Sequence, residues 1–187
     1  MLQELDLSDN FINGVMPQEL GRLEHLMFLR LRGRLPWGNK DTRLMLSGSI
    51  PQELGQLQNL MELDLSRNAL SGSIPSALSN CSNLVSMDLG GNTLMGPIPE
   101  EFGQLEMLLY LLLNKNNLSG PIPPSLGNCS NLVTLGLDSN NLTGPIPEEF
   151  GQLEMLQYLY LSENNVSAPL PPSLGNCSNT GMDNQVQ

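Results

Sequence analysis

The residues best suited to chemistry in this chain are one histidine and three cysteines. His25 follows Glu24, but a general base needs a nucleophile and an orienting partner within hydrogen-bond reach, and the sequence offers no such constellation. Cys81, Cys129 and Cys177 stand 48 residues apart, without the convergent ligands that a metal ion needs. The sequence therefore predicts that the chain is not an enzyme and that it holds no metal and no cofactor.

The 48-residue spacing of the cysteines belongs to a repeat. The thirteen residues GPIPEEFGQLEML occur at Gly96–Leu108 and again at Gly144–Leu156, and PPSLGNCSN occurs at Pro123–Asn131 and Pro171–Asn179. Each 48-residue unit divides into two 24-residue units of the form LxxLxLxxNxLxGxIPxxLxxLxx, and such a period is typical of a solenoid. Seven copies begin at Leu2, Leu26, Leu60, Leu84, Leu108, Leu132 and Leu156.

Each copy predicts one short strand and a brief return segment. In LVTLGLD (Leu132–Asp138) alternate residues point to the same side, so Leu135 and Leu137 face the core and the residues between them face outward. Asn140 closes the strand, where its amide can bond the turning backbone. The Gly and Pro residues that follow prevent an α-helix. Because one copy cannot bury both of its faces, we expect a stack of seven parallel strands with little α-helix.

The repeat also predicts the state of the cysteines. Neighbouring strands lie about 4.8 Å apart, so cysteines two copies apart would be separated by roughly 10 Å. A disulfide needs Cα atoms within about 7 Å. We therefore expect three free, buried thiols that pack as small apolar side chains.

Composition limits the partners of the chain. Its net charge of -11 argues against nucleic acid, which is bound through Lys and Arg. No run of 18 apolar residues is present, so no membrane insertion by this chain is expected. The start, MLQELDLSDN, lacks the basic and apolar regions of a signal peptide.

The stretch LDLSRNALSGSIPSALSNCSNL (Leu63–Leu84) resembles the plant-specific class of leucine-rich repeats, which carries an LSGxIP signature after the Asn. The resemblance covers Leu2–Asn179. It implies a right-handed β/α superhelix with a parallel β-sheet on the concave face and short 3-10 or irregular segments on the convex face. The predicted repeat domain is 1–179, with an insertion of about ten residues near 33–44 in the second copy, and 180–187 form a polar tail.

The resemblance also implies a function. Such arrays form the ectodomains of plant receptor-like kinases and receptor-like proteins, and secreted inhibitors of cell-wall-degrading enzymes. The leading expectation is non-catalytic recognition of a peptide or protein ligand, with a co-receptor as a further partner, at the cell surface or outside the cell. The alternatives are a secreted inhibitor of such an enzyme and a structural spacer within a larger receptor.

The ends of the array depart from the family pattern. Arrays of this class usually carry cysteine-paired caps, and this sequence has no such cysteine pairs. The expectation is therefore a fragment of a receptor ectodomain or a truncated relative. Uncapped ends would expose core and sheet edge, so self-association through them is also expected.

The outward strand positions form columns on the concave face, and all three tyrosines of the protein fall in them. Tyrosine suits interfaces because it joins a large apolar ring to a polar tip. Thr134 and Gly136 should leave a trough between the aromatic residues on either side. The predicted binding residues are Tyr110, Leu112, Asp138, Tyr158 and Tyr160, and the secondary candidates are Phe28, Arg30, Arg32, Trp37, Asp64 and Asp88.

The insertion RGRLPWGNKDTR has three interpretations, and the sequence leaves all three open. It concentrates positive charge beside Trp37, the only tryptophan, and it removes the Asn expected in its copy. It could complete a ligand site, be a tolerated loop, or be an unspliced stretch in the gene model.

Six N-x-[ST] sequons have two interpretations. The repeat consensus itself writes NNLS and NCS, so the sequons could be by-products, or they could carry glycans in an exported parent. The candidate glycosylation sites are Asn80, Asn117, Asn128, Asn141, Asn165 and Asn176.

Overall fold

The computed structural model of the chain describes residues 1–34 and 45–178. Its fourteen described strands, numbered along the chain, form two parallel sheets of seven strands each. The first sheet holds the predicted strands, in the order Glu4–Asp6 (β1), Phe28–Arg30 (β3), Glu62–Asp64 (β5), Ser86–Asp88 (β7), Tyr110–Leu112 (β9), Thr134–Gly136 (β11) and Tyr158–Tyr160 (β13).

The register of the first sheet follows the repeat. Tyr110 lies opposite Thr134, which in turn lies opposite Tyr158 on the next strand. The central residue of each of the five inner strands, such as Leu111 or Leu135, is fully buried, and those of the first and last strands, Leu5 and Leu159, are half-buried. The residues on either side of the central one face outward. The prediction of seven parallel strands, one in each copy, is confirmed.

The sequence did not predict a second sheet, because the Gly and Pro residues in this part of each copy indicated only a bend before the return segment. Its strands are two to five residues long and form hydrogen bonds only across copies, since short strands cannot be stable alone. Gly96 is the last residue of its strand and Gly120 the last but one of the next strand, and both have positive φ, of 82° and 85°. The strands are Gly14–Val15 (β2), Leu46–Gly48 (β4), Ala69–Gly72 (β6), Thr93–Gly96 (β8), Asn117–Pro121 (β10), Asn141–Gly144 (β12) and Asn165–Val166 (β14).

The return segments are short 3-10 helices, each preceded by proline, and the described residues contain no α-helix. Successive turns stack so closely that a Cβ atom on Gly127 would lie 2.6 Å from the carbonyl oxygen of Glu149, so the small residue is required there. The helices are Gln18–Arg22, Gln52–Gln56, Ser76–Asn80, Glu100–Gln104, Pro124–Asn128, Glu148–Gln152 and Pro172–Ser178.

A ladder of asparagines, buried in the inner copies and half-buried at Asn164, joins the copies, as the closing Asn of the repeat predicts. Asn116 is typical: its Nδ2 donates to the carbonyl oxygens of Leu113 in its own copy (3.1 Å) and Leu89 in the preceding copy (3.0 Å). Its Oδ1 accepts from the backbone N–H of Leu94 (3.0 Å). The ladder asparagines are Asn68, Asn92, Asn116, Asn140 and Asn164.

The first copy is packed less completely than the inner ones. Its consensus leucine Leu2 and its side chains Phe11 and Val15 are exposed, whereas the equivalent leucine of the third copy, Leu60, is fully buried. Among the described residues, no helix is long and apolar enough to cross a membrane. Self-association through the ends stays a prediction.

Candidate functional site

The outward face of the first sheet, here called the concave face, carries all three tyrosines. Tyr110 is 42% exposed, and Tyr158 and Tyr160 are 51% and 50% exposed. The rings of Tyr158 and Tyr160 are stacked, with centroids 6.4 Å apart and planes within 9°. The strand register places Tyr110 two strands from Tyr158, which corresponds to roughly 10 Å.

Between the tyrosines lies a shallow trough that is narrower than the sequence suggested. Thr134 is half-buried and forms its floor between Tyr110 and Tyr158. In the next row the side chain of Leu112 covers part of Gly136. A Cβ atom on Gly136 would lie only 3.0 Å from Cδ2 of Leu112. The space above Gly136 is therefore partly filled by Leu112.

Asp138 stands at the end of this trough, two residues beyond Gly136 on the same strand line. Its side chain is half-buried, and within the described residues its carboxylate has no hydrogen bond and no ion pair. The other acidic candidates differ in this respect. Asp64 accepts hydrogen bonds from the N–H and hydroxyl of Ser66 (3.0 and 2.6 Å), and Asp88 accepts one from the N–H of Gly90 (2.9 Å).

The secondary candidates Asp64 and Asp88 face outward on adjacent strands. Burial raises the pKa of Asp88, the hydrogen bond from Gly90 opposes that shift, and the negative charge of Asp64 adds to it. The pair therefore makes the middle of the concave face acidic, but each carboxylate already has a partner in the chain.

The secondary candidates Arg30 and Arg32 are held by carboxylates of the same chain. Arg30 binds Glu62 through two hydrogen bonds (2.6 and 2.5 Å) and Glu4 through a third (2.5 Å), and these contacts raise its pKa. Its guanidinium also lies 5.0 Å from the centre of the Phe28 ring. Arg32 donates from Nη2 to Asp9 (2.6 Å), while its buried Nε has no partner in the described part of the chain. Both arginines are thus committed to cross-strand contacts.

The insertion in the second copy begins and ends on ordered repeat structure. Asn68 of the third copy donates to the carbonyl oxygen of Leu31 (2.8 Å) and accepts from the N–H of Leu46 (3.2 Å), so one side chain bonds both flanks. Residues 35–44, including the candidate Trp37, lie outside the described residues.

Comparison with known proteins identifies the family. One family model, described as Leucine rich repeat, matches residues 48–94 and 58–118. A second model with the same description matches residues 1–23, 131–153 and 155–177. The chain belongs to the leucine-rich repeat family. Comparison with curated protein sequences gave no match.

Solved structures of plant receptors are similar to this leucine-rich repeat array. The plant peptide hormone receptor RGFR1, solved with RGF2, is 37% identical with a TM-score of 0.87, and the match covers 95% of this chain and 27% of that one. The TDR receptor is 34% identical with a TM-score of 0.87, covering 94% and 29%. The Arabidopsis receptor kinase HAESA, solved with the peptide hormone IDA and the co-receptor SERK1, is 38% identical with a TM-score of 0.85, covering 94% and 28%. The array therefore spans less than a third of each of these chains.

The sequons of the leucine-rich repeat array lie at its surface. Asn80 and Asn128 end 3-10 helices, and Asn117, Asn141 and Asn165 begin strands of the second sheet. All five are exposed, each of the last three next to a ladder asparagine. Asn176 belongs to the 3-10 helix Pro172–Ser178, and its side chain lies outside the described residues. Glycosylation of these sites stays a prediction.

The prediction of buried thiols is correct for two of the three cysteines. Cys81 and Cys129 are fully buried, and each donates to a carbonyl oxygen of the preceding copy, at 3.4 and 3.3 Å. Burial raises the pKa of both thiols to about 11. For Cys177 the prediction is wrong, because its side chain is only half-buried in the last described copy. All three are free.

A second set of asparagines was missed by the sequence analysis. Asn59, Asn83 and Asn131 are each the last residue of a copy, directly before the first leucine of the next. Each Nδ2 donates to a backbone oxygen of the preceding copy at 2.8 Å. Their recurrence at one position of the repeat was the available signal. These exposed side chains link the copies at the edge where the strands of the first sheet begin.

Proposed function

We propose that this leucine-rich repeat array recognises an extended peptide, or an extended segment of a protein, on its concave face. In this proposal it acts outside the cell as part of a receptor-type ectodomain, and recognition is non-catalytic. The observation that carries the proposal is the placement of Tyr110, Tyr158 and Tyr160. All three tyrosines of the protein lie exposed on one face.

The tyrosines do not serve the fold in the way that the leucines do. The core is built from fully buried leucines, whereas about half of each tyrosine stays in contact with solvent. Scattered exposed apolar residues need no explanation. A stacked tyrosine pair facing a third ring across a trough is a surface that a ligand can desolvate, and buried tyrosines are frequent hot spots of binding.

The size of the face favours a peptide over a globular partner. Seven strands at about 4.8 Å spacing span about 29 Å, and strands of three residues at about 3.3 Å each make the face roughly 10 Å across. This area is below the roughly 800 Å² that each partner buries in a standard protein interface. An extended chain advances about 3.3 Å per residue and would cross the trough in about three residues.

The similar receptors support the same reading. RGFR1 is described as a plant peptide hormone receptor and HAESA was solved with a peptide hormone and a co-receptor. Their similarity covers nearly all of this chain, so a peptide ligand, with a co-receptor as a second protein partner, is the proposed function here.

Alanine substitution of the stacked pair tests this proposal. A library of random linear peptides is selected on the immobilised chain, and the affinity of a selected peptide is measured for the parent and for Tyr158→Ala/Tyr160→Ala. Loss of two hot-spot side chains should weaken binding by at least about 2 kcal/mol, or roughly thirtyfold.

Met95→Ala is the matched control, since Met95 is 51% exposed but lies on the second sheet. The control should bind like the parent, and all variants should melt like the parent because the replaced side chains face solvent. The proposal fails if no peptide is selected above background, or if the double variant binds with unchanged affinity.

A further inference from the structure

We infer that the trough between the tyrosines takes an arginine side chain of the ligand. This inference rests on the proposed function and adds to it the chemical class of the residue that is recognised. Three observations carry it: the aromatic faces, the unpartnered carboxylate of Asp138, and the absence of cations from the described outward strand positions of copies four to seven.

The aromatic faces provide the first part of the site. The faces of aromatic rings are electron-rich, and a guanidinium stacks on them as a flat group. Tyr158 and Tyr160 are nearly parallel and exposed, and Tyr110 stands across the trough. The same chain already places a guanidinium on an aromatic ring, because Arg30 lies 5.0 Å from the centre of Phe28.

Asp138 provides the second part. From the strand geometry, its Cα lies roughly 8 Å from that of Tyr160, one strand spacing across and two residues along. A long side chain lying against Tyr160 can therefore bring its head group towards Asp138. Elsewhere on this face Asp64 and Asp88 are bonded within the chain, whereas the carboxylate of Asp138 has no such partner in the described residues.

The charge around the site favours a cation. The outward strand positions of copies four to seven include Asp88 and Asp138 and no basic residue. Lys115 is the only basic residue beyond Leu84, and it lies beside the site, because its backbone N–H donates to the carbonyl oxygen of Asp138 (2.9 Å). Its side chain is exposed and forms no ion pair within the described chain. Arg30 and Arg32 lie in the second copy and are paired with acidic side chains. A ligand cation would thus meet carboxylates on this face, with the exposed Lys115 as the one cation of copies four to seven beside Asp138.

Arginine fits better than lysine because its planar group can stack on a ring and donate to a carboxylate at the same time. Gly136 lies opposite Tyr160 and has no side chain of its own, so only Cδ2 of Leu112 occupies part of the space above it. Leu112, which leans over Gly136, would contact the methylene groups of the arginine.

The three tyrosines make a direct test available. When the chain is produced with 3-fluorotyrosine, every fluorine resonance reports on this site, because the protein has no other tyrosine. The probes are N-acetyl-arginine-N-methylamide and its citrulline analogue, which has nearly the same shape and no charge. We expect saturable shifts with the arginine probe and at least about tenfold weaker binding of the citrulline probe, since hydrogen bonds to charged groups are the stronger ones.

Variants locate the effect. Asp138→Asn should weaken binding of the arginine probe about tenfold, towards the affinity of the citrulline probe. The control Glu106→Gln removes one charge at an exposed position outside the concave face and should change the affinity for the arginine probe less than twofold. Gly136→Thr should fill the trough and abolish both sets of shifts. Because its Cβ would displace Cδ2 of Leu112, the check that it folds is a cooperative thermal transition. Equal affinity of the two probes, no shifts at all, or the same small effect of Asp138→Asn and Glu106→Gln would overturn the inference.

The peptide selection separates this inference from the proposed function. If selected peptides need the tyrosines but contain no arginine, recognition by the concave face stands and the arginine inference fails. If every selected peptide that needs the tyrosines carries an arginine, and its replacement by citrulline weakens binding about tenfold, both stand.

Discussion

Asn116, in the middle of the asparagine ladder, offers the sharpest test of how the copies hold together. Replacing it with alanine removes two short hydrogen bonds to carbonyl oxygens, at 3.0 and 3.1 Å, a longer one to Asn114 at 3.4 Å, and one from a backbone N–H, at 3.0 Å. The side chain is 7% exposed, so water cannot readily take its place. We expect a large loss of stability from a substitution that touches no apolar core residue.

The size of the stability loss depends on which hydrogen bonds the partners of Asn116 retain after the substitution. The carbonyl oxygen of Leu89 keeps the amide of Asn92, and that of Leu113 keeps the amide of Asn140. Each of these two losses should cost about 0.5–1.5 kcal/mol, because the acceptor still has one donor. The buried N–H of Leu94 loses its side-chain acceptor, which should cost about 1–3 kcal/mol. The sum centres on about 4 kcal/mol, a large part of the stability of a domain of this size.

Urea unfolding followed by far-ultraviolet circular dichroism measures this loss. Asn117→Ala is the matched control, since Asn117 is the adjacent residue, is exposed, and has no described side-chain hydrogen bond. The control should stay within about 0.5 kcal/mol of the parent. Asn116→Asp should be at least as destabilising as the alanine variant, because it places a buried carboxylate against two carbonyl oxygens.

A small effect would refute the reasoning. If Asn116→Ala and Asn117→Ala differ by less than about 1 kcal/mol in the free energy of unfolding, the ladder does not stabilise the stack as argued. Stability would then come from leucine packing alone.

Two further predictions concern titratable groups. In the native chain at pH 8 the fully buried Cys81 and Cys129 should resist iodoacetamide, and the half-buried Cys177 should react first; mass spectrometry of the labelled peptides checks the order, and early labelling of Cys81 would contradict it. The pKa of Asp88 is raised above its usual 3.8 by burial and by Asp64, so the folded state binds more protons than the unfolded state and stability should fall as pH rises through this window. Asp88→Asn should remove that fall in melting temperature between pH 3 and pH 7, and an unchanged pH profile would count against it.

Much of the fold could be predicted from the sequence, because a 24-residue period is compatible with few backbone arrangements of each copy. Leucines at alternating positions must be buried on one side, so Leu135 and Leu137 face the core and the residues between them face outward. The same alternation fixed the register that brings Tyr110, Thr134 and Tyr158 into one row. Short return segments bounded by Gly and Pro excluded α-helices for a local reason.

The tertiary structure decided what depends on neighbours in space. The second sheet exists because its short strands meet equivalent strands 22 to 32 residues away, as Leu118 meets Gly96 and Gly14 meets Leu46, and a single copy gives no sign of that pairing. The commitment of Arg30 to Glu62 and Glu4 depends on side chains reaching across strands. The position of Leu112 above Gly136 also depends on a side chain reaching across strands.

The sequence by itself determined which residues face outward, because strand alternation is a local property. Stacking decided which of them, such as Asp138, remain without a partner in the described chain, because pairing depends on distances between copies.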